Sequence, residues 1–472
     1  VFRRILVANR GEIATRIIRA CKELNIEAVA IYTPPDRLSL HVKKADQAFL
    51  LGDHPVKGYL NPYRIVELAR EARCDALHPG YGFLAEDPRL PELCAKYGIT
   101  YIGPNAEVIT AMGDKTIARQ TMIKAGIPII PGTEDNLASA DEAVQWAEKV
   151  GFPIMLKATS GGGGRGIRKC ADAEELRANY ERVLSEAQAA FGRADIFLEK
   201  AIENPRHIEF QIMADHHGNV VHLYERDCSI QRRHQKLIEI APSLFLDDEL
   251  RAKMGACAVE VAKAVDYRNA GTVEFLVDKD KNFYFMEMNT RIQVEHPVTE
   301  AITGIDIVAL QIRIAAGVPM PYKQEDIKIR GHAVEFRINA EDPKNNFTPS
   351  TGKISRYHSP GGMGVRIDGT AYPGSTITPY FDSMCAKMTI WGMTWEKTVR
   401  RCRRALDEFE IRGVKTTIPY FRQIVQTKAF EQGDFDTSYI DSNPELLQYK
   451  EKLSREDLAL IISATIGAHH GL

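Results

Sequence analysis

Over residues 1–113, short apolar runs alternate with segments whose apolar positions recur every three or four residues. The runs at 3–8, 27–32, 74–78 and 99–103 predict strands, and the segments at about 12–24, 61–72 and 88–97 predict helices. That rhythm predicts a small parallel sheet with helical crossovers. The tract Gly126–Gly132 reads as a connector to a second unit: helix 140–150, strand 153–157, a glycine-rich loop, helix 172–190 and strand 196–200. From about 204 the pattern turns to longer strands, at 207–213, 219–225 and a pair within 271–289. A last section has strands at 332–338, 353–358, 364–368 and 384–391, followed by helices. The expected division is 1–113, 114–203, 204–330, 331–446 and a helical tail 447–472, with no internal repeat.

One short stretch carries a different pattern. Glu287, Asn289, Arg291, Gln293 and Glu295 occupy alternate positions, so an extended chain would project all five to one side. A solvated edge strand shows the same alternation. Here the run follows the apolar strand Phe283–Met286, and Glu274 sits in the preceding strand, across a link of hairpin composition. Pairing the two strands would bring Glu274 near Glu287 and Asn289. Carboxylates so placed repel unless a hard cation lies between them. The pattern therefore points to a Mg²⁺–phosphate site with an anion pocket beside it. In that pocket Glu295 is the candidate base and Arg291 the positioning cation.

Other segments supply anion-binding groups. Ser160–Gly166 contains four consecutive glycines, whose backbone N–H groups can approach a phosphate unobstructed, although no Walker Gly-Lys-Ser/Thr follows. Lys157 ends an apolar run where burial would be costly without an anionic partner; a strand-end lysine reaching solvent is the alternative. Lys115 opens a helix and is a second phosphate candidate. Glu199–Ile202 ends a strand where exposed backbone can meet a base edge. His207 and the run Glu225–Lys236 add cations and amides, which a solvated loop would also explain.

Composition narrows the class. With 61 basic and 63 acidic residues the net charge is −2, which gives no nucleic-acid surface. Arg400–Arg404 falls in a predicted helix, 396–410, as a solvated face. The eight cysteines are scattered without a Cys-x-x-Cys pair, disfavouring zinc and a disulfide framework and favouring a reducing, cytoplasmic compartment. No signal-peptide profile or membrane-length apolar run is present; Leu458–Ala468, after Ser454-Arg-Glu-Asp457, reads as a short amphipathic helix. Asn9–Glu12 stands where a dinucleotide fold would carry Gly-x-Gly-x-x-Gly, so a Rossmann dehydrogenase is disfavoured.

Taken in order, Ala8–Ile13, His78–Leu84, Met112–Lys115, Gly161–Gly166, Ser229–Lys236, Glu287–Pro297 and Arg337–Asp342 resemble the ATP-grasp superfamily, and far more closely its biotin carboxylases, over nearly all of 1–446. The resemblance implies a mixed α/β and α+β fold: an N-terminal doubly wound domain, a mobile lid, an ATP-grasp core and a C-terminal antiparallel-sheet domain. It implies that Lys115, Lys157, Gly162, Gly163, Gly164, Glu199, Lys200, Ile202, His207, Gln231, His234, Glu274, Leu276 and Glu287 contact ATP. Glu274, Glu287 and Asn289 would hold Mg²⁺ or Mn²⁺. Arg291, Gln293 and the Val294 backbone would hold bicarbonate, Glu295 would deprotonate it, Arg337 would stabilise the biotin enolate and Lys236 would steady the anions. Biotin itself comes from the resemblance alone.

The resemblance also implies a homodimer in which Arg16, Arg19 and Glu23 lie at the interface; an ordinary charged helix face is the alternative. Cys385-Ala-Lys-Met388 lacks the first methionine of a biotin-attachment motif and reads as strand composition, so a separate biotin carboxyl carrier protein and a carboxyltransferase subunit are expected in trans. The tail and Thr416–Pro419 resemble subunits of two-subunit 2-oxo-acid carboxylases, leaving the final acceptor open between such an acid and acetyl-CoA. Two other readings stay open: a different ATP-grasp ligase acting through an acyl phosphate, and an ATP-binding subunit without turnover.

Overall fold

The computed structural model describes residues 2–133, 136–158, 166–191, 195–449 and 455–470. The first unit is a five-stranded parallel sheet in the order β3-β2-β1-β4-β5, with β1 Arg4–Val7, β2 Glu27–Tyr32, β3 Gln47–Leu50, β4 Ala76–His78 and β5 Thr100–Tyr101. Sequence periodicity locates four of these strands. It misses β3, whose residues Gln47–Leu50 are all intermediate or exposed and so carry no buried-strand signature. Helices Gly11–Glu23, Pro62–Glu71 and Arg89–Lys96 fall where predicted. The second of them begins with Pro62 behind Asn61, whose side chain accepts from the Arg64 N–H, which sets its start.

The second unit packs helices Ala140–Val150 and Ala173–Phe191 on a three-stranded antiparallel sheet of β6 Ile154–Ala158, β7 Ile167–Cys170 and β8 Ile196–Lys200. The glycine-rich loop, with Gly162, Gly163 and Gly164, lies outside the described residues.

The site is built on an eight-stranded sheet. It runs β13-β12-β9-β10-β11-β14 and continues through strands Met384–Gly392 and Val365–Gly369. Here β9 is Arg206–Ala214, β10 Val220–Arg232, β11 Gln235–Ala241, β12 Asn269–Val277, β13 Phe283–Asn289 and β14 His332–Asn339. The sheet is continuous across residue 330, because β11 pairs with β14. Glu225–Lys236, for which a solvated loop was the competing account, is instead the paired end of β10 and β11. Arg233 and His234 form its two-residue turn, both at positive φ of 48° and 64°. That conformation disfavours side chains other than glycine, asparagine and aspartate, so the tip is locally strained.

The tail forms helix Arg455–His469, but Leu460 is 70% and Ile462 50% exposed, so no face of it docks on the described chain. Its expected cap at Ser454 lies outside the described residues. Among the described residues no helix is long and apolar enough to cross a membrane, and all eight cysteines are free.

Around β14 the core is aromatic: Phe336 is fully buried, with its ring 5.5 Å from that of Phe421. Phe336→Ala should lower stability by about 3–5 kcal/mol, read as a drop in the urea midpoint at unchanged slope.

Candidate active site

Neighbouring strands place charged residues opposite one another. Register pairs Arg226 with Glu209, Glu209 with Glu274, and Glu274 with Glu287, so one row crosses β10, β9, β12 and β13. Like charges in directly opposed positions are destabilising unless compensated. Compensation comes from two cations. Arg226, fully buried, contacts Glu209 and also donates to Gln211 Oε1 at 2.9 Å, Thr299 Oγ1 at 2.9 Å and Thr272 Oγ1 at 3.1 Å. Lys236 Nζ donates to Glu209 at 2.5 Å, Glu295 at 2.7 Å and Glu274 at 3.1 Å. Burial alone would lower the lysine, yet these three carboxylates hold it well above the ordinary range.

The polar run does not stay extended. Strand β13 stops at Asn289, a loop follows, and Glu295 becomes the N-cap of helix His296–Thr303. Glu287 and Asn289 keep the strand alternation, whereas Arg291, Gln293 and Glu295 are placed by the loop and the helix start. Asn289 Nδ2 and Gln293 Nε2 both donate to Glu274 Oε1, at 2.7 and 3.0 Å. Arg291 donates to Asn289 Oδ1 and Gln293 Oε1, both at 3.0 Å, and to Glu86 at 2.9 Å. Glu295 makes no side-chain cap bond to its own helix. Its carboxylate, fully buried, lies between Lys236 at 2.7 Å and Arg337 at 2.9 Å. Burial would raise its pKa, but Lys236, Arg337 and Arg226 hold it well below the carboxylate range. It is a charged carboxylate, restrained by the cations on either side.

Arg337 is shared. Its Nε donates to Glu239 at 2.6 Å, and Glu239 is itself fully buried with one oxygen unpartnered among the described residues. A cavity of about 750 Å³ opens beside Arg337 and Val294, walled by Asn9, Tyr81, Gln235 and Phe381.

The nucleotide candidates divide. His207 Nε2 lies 2.5 Å from Glu274, and its strand neighbour across the pair is Leu276. Gln231 is buried near the end of β10, while His234 is exposed at the hairpin tip. Lys157 is in contact with Glu199, which also receives Arg119 at 3.4 Å. The anionic partner inferred for Lys157 is thus a glutamate of β8 in this structure. The Lys200 ammonium donates to the Gly151 and Phe152 carbonyls, at 2.7 and 3.0 Å. Ile202 is half-buried just after β8. Lys115 opens helix Lys115–Lys124 behind Asp114, which accepts from the Thr116 and Ile117 N–H groups. Burial lowers the Lys115 ammonium, with Glu287 opposing.

Arg16 is 6% exposed and paired with Glu300 at 2.9 Å and Asp306 at 2.7 Å of its own chain. Arg19 is 44% exposed, 3.4 Å from Asp368, and Glu23 is exposed. Sequence reasoning assigned no role to Glu86, Glu209 or Glu239, and took Arg226 only as one cation of the run Glu225–Lys236. His207, Glu209 and Gln211 alternate within one predicted strand, the same signal that singled out Glu287–Glu295.

Three family models match the chain: "Biotin carboxylase, N-terminal domain" over residues 1–109, "Carbamoyl-phosphate synthase L chain, ATP binding domain" over 114–323, and "Biotin carboxylase C-terminal domain" over 335–442. The chain belongs to the biotin carboxylase family. It is an ATP-dependent carboxylating ligase with an ATP-grasp fold. The 2-oxoglutarate carboxylase small subunit of Hydrogenobacter thermophilus is 54% identical over 472 residues, covering 100% of both chains. Biotin carboxylase 1 of Bacillus subtilis is 50% identical over 444 residues, 94% of this chain and 99% of that one. Among solved structures, the biotin carboxylase domain dimer of the H. thermophilus 2-oxoglutarate carboxylase, in complex with MgADP, ADP and bicarbonate, superposes with a TM-score of 0.92 at 54% identity, covering 95% of this chain and 99% of that one.

Glu239 gives the site a pH signature. Burial, against the pull of Arg337, pushes its carboxyl from 4.5 up to about 7. The folded chain thus holds this proton more tightly than the unfolded chain. Its contribution to stability is complete below about 4.5 and lost as pH rises through about 7. In Glu239→Gln the difference in urea unfolding free energy between about pH 5 and about pH 8 should shrink. An unchanged difference would mean that Glu239 titrates as it does in the unfolded chain.

Proposed function

We propose that the loop Arg291–Glu295 receives bicarbonate and that the chain carboxylates biotin borne by a separate carrier protein. Arg291, Gln293 and the Val294 N–H hold the anion, and Glu295 takes its proton. The oxygen so freed attacks the γ-phosphorus of ATP; a new O–P bond forms as the bond to the bridging oxygen breaks, and ADP leaves. Lys115, Lys157, His207, Gln231, His234 and the loop glycines Gly162–Gly164 neutralise or cradle the phosphates, with Glu199, Ile202 and Leu276 toward the base.

Glu274, Glu287 and Asn289 fit a divalent cation, because burial and the neighbouring charge of Glu274 together push the Glu287 carboxyl upward. Mg²⁺ or Mn²⁺ bound there supplies charge neutralisation to the phosphates. Carboxyphosphate then breaks to CO₂ and phosphate, and phosphate takes the ureido proton of biotin. Biotin occupies the cavity beside Val294 and Arg337, whose size suits a small bicyclic ligand. Arg337 stabilises the enolate oxygen, Lys236 steadies the phosphate, and the ureido nitrogen closes on CO₂.

The observation that carries this reading is the fully buried Glu295 carboxylate set between Lys236 and Arg337 at the start of a helix. A base so held is charged before substrate arrives. Its basicity rises when the two cations turn to phosphate and biotin.

The match to the H. thermophilus 2-oxoglutarate carboxylase small subunit covers 100% of both chains. This supports the two-subunit 2-oxo-acid type, with a carrier and a carboxyltransferase on another chain. A homodimer is part of the proposal, supported by the related domain dimer, with Arg19 and Glu23 on its surface.

ADP release by the purified chain with Mg-ATP should need bicarbonate and rise with free biotin. Glu295→Gln should lose on the order of 10²–10⁴ in turnover while still binding ATP, measured by nucleotide titration. Turnover indifferent to bicarbonate and biotin would instead point to an ATP-grasp ligase with another acceptor.

A further inference from the structure

Lys387 lies in the Cys385–Met388 segment that superficially resembles a biotin-attachment motif, yet its side chain has no solvent exposure. A fully buried ammonium cannot meet a modifying enzyme in the folded chain. It also needs a reason to be charged where it is. Strand register puts Lys387 directly opposite Arg337 on β14 and opposite Asp368 on the other side. Two cations thus stand side by side on one face, and both reach the same loop. Arg337 donates to the Glu295 carboxylate at 2.9 Å, and Lys387 Nζ donates to the Val294 carbonyl at 2.6 Å.

The Val294 carbonyl belongs to the peptide plane that leads into Glu295. The preceding plane is held as well: His296 Nδ1 lies 2.7 Å from the Gln293 carbonyl, with the ring otherwise buried. A peptide is planar and trans, so fixing its carbonyl also aims its N–H the opposite way. The grip of His296 therefore aims the Val294 N–H, and that of Lys387 fixes the turn into the base. What keeps Lys387 charged is Glu12, 3.1 Å from Nζ, on the helix that follows β1. Burial would lower the lysine, but Glu12, Glu335 and Asp368 raise it instead. Glu12 also accepts from the Tyr81 hydroxyl, and Tyr81 walls the cavity beside Arg337. Tyr81 is itself set by Asn9, whose Nδ2 donates to the Pro79 and Tyr81 carbonyls at 2.7 and 2.8 Å.

We infer that Lys387, charged by Glu12, is a positioning residue for bicarbonate: it fixes the Val294–Glu295 peptide from behind and ties the bicarbonate loop to the wall of the biotin cavity. It touches no substrate and acts through the Val294 carbonyl. The inference rests on the assignment of bicarbonate to the Arg291–Glu295 loop, so its test carries a control for that assignment.

Lys387→Met alone would strand Glu12 as a buried unpaired acid and risk misfolding. The double variant Lys387→Met/Glu12→Gln removes both charges together. It should fold, with a thermal midpoint near that of the parent. Steady-state ADP release with biotin should then show a KM for bicarbonate raised on the order of tenfold or more and a lower kcat, with the KM for ATP within about twofold. A merely structural loss would move both KM values together. Arg291→Ala serves as the control and should also raise the bicarbonate KM. If Arg291→Ala does so while the double variant keeps the parent's bicarbonate KM and kcat, the role of Lys387 is overturned and the loop assignment stands. If neither variant moves the bicarbonate KM, the loop assignment fails and the inference fails with it.

Discussion

Like-charge repulsion across a sheet is the constraint on which this site depends. Glu209, Glu274 and Glu287 face one another on three adjacent strands, an arrangement that a folded chain keeps only if cations reach in. Arg226 closes one end of the row and Lys236 bridges Glu209, Glu274 and Glu295. Removing one member of such a buried set costs about 3–5 kcal/mol, because the remaining charge is left unpaired. The network is therefore weak evidence for stability and strong evidence for function: burying charge this way makes sense where anions and cations must be exchanged for substrate groups.

The same logic extends to the second layer. Arg337 is divided between Glu239 and Glu295, Arg291 between Glu86 and two amides, and Lys387 between Glu12 and the Val294 carbonyl. Each cation is thus shared between the Arg291–Glu295 loop or its amides and an acid on another element. The continuous sheet from β13 to strand Val365–Gly369 makes this possible, since it carries the acids, Lys236, Arg337 and Lys387 on one scaffold. Rigid strands supply the charges; a short loop and a helix start supply the contact proposed for bicarbonate.

Much of this was legible in the chain. The parallel sheet, the helices of the second unit and the pairing of Glu274 with Glu287 follow from periodicity and hairpin composition, because those signals are local. What escaped is non-local. The loop after Asn289 breaks an alternation that looks strand-like, since no residue there forbids extension; the bend comes from Glu295 serving two cations brought by other strands. Glu209 and Glu239 look like ordinary polar positions until register sets Glu209 opposite Arg226 and the Arg337 side chain reaches Glu239. Arg16 reads as an exposed helix charge, and only tertiary packing turns it onto Glu300 and Asp306. The resemblance to a family supplied what no local pattern contains, namely biotin and the division of roles among the residues.

The central claim is that an oxygen of bicarbonate, freed by Glu295, attacks the γ-phosphorus of ATP. The most direct measurement is the fate of that oxygen. With bicarbonate labelled by ¹⁸O and Mg-ATP unlabelled, phosphate released during biotin carboxylation should carry one labelled oxygen, read by mass spectrometry before exchange with water. Phosphate without label, under conditions where labelled bicarbonate persists, would contradict the account, because the γ-phosphoryl group would then have passed to some other acceptor.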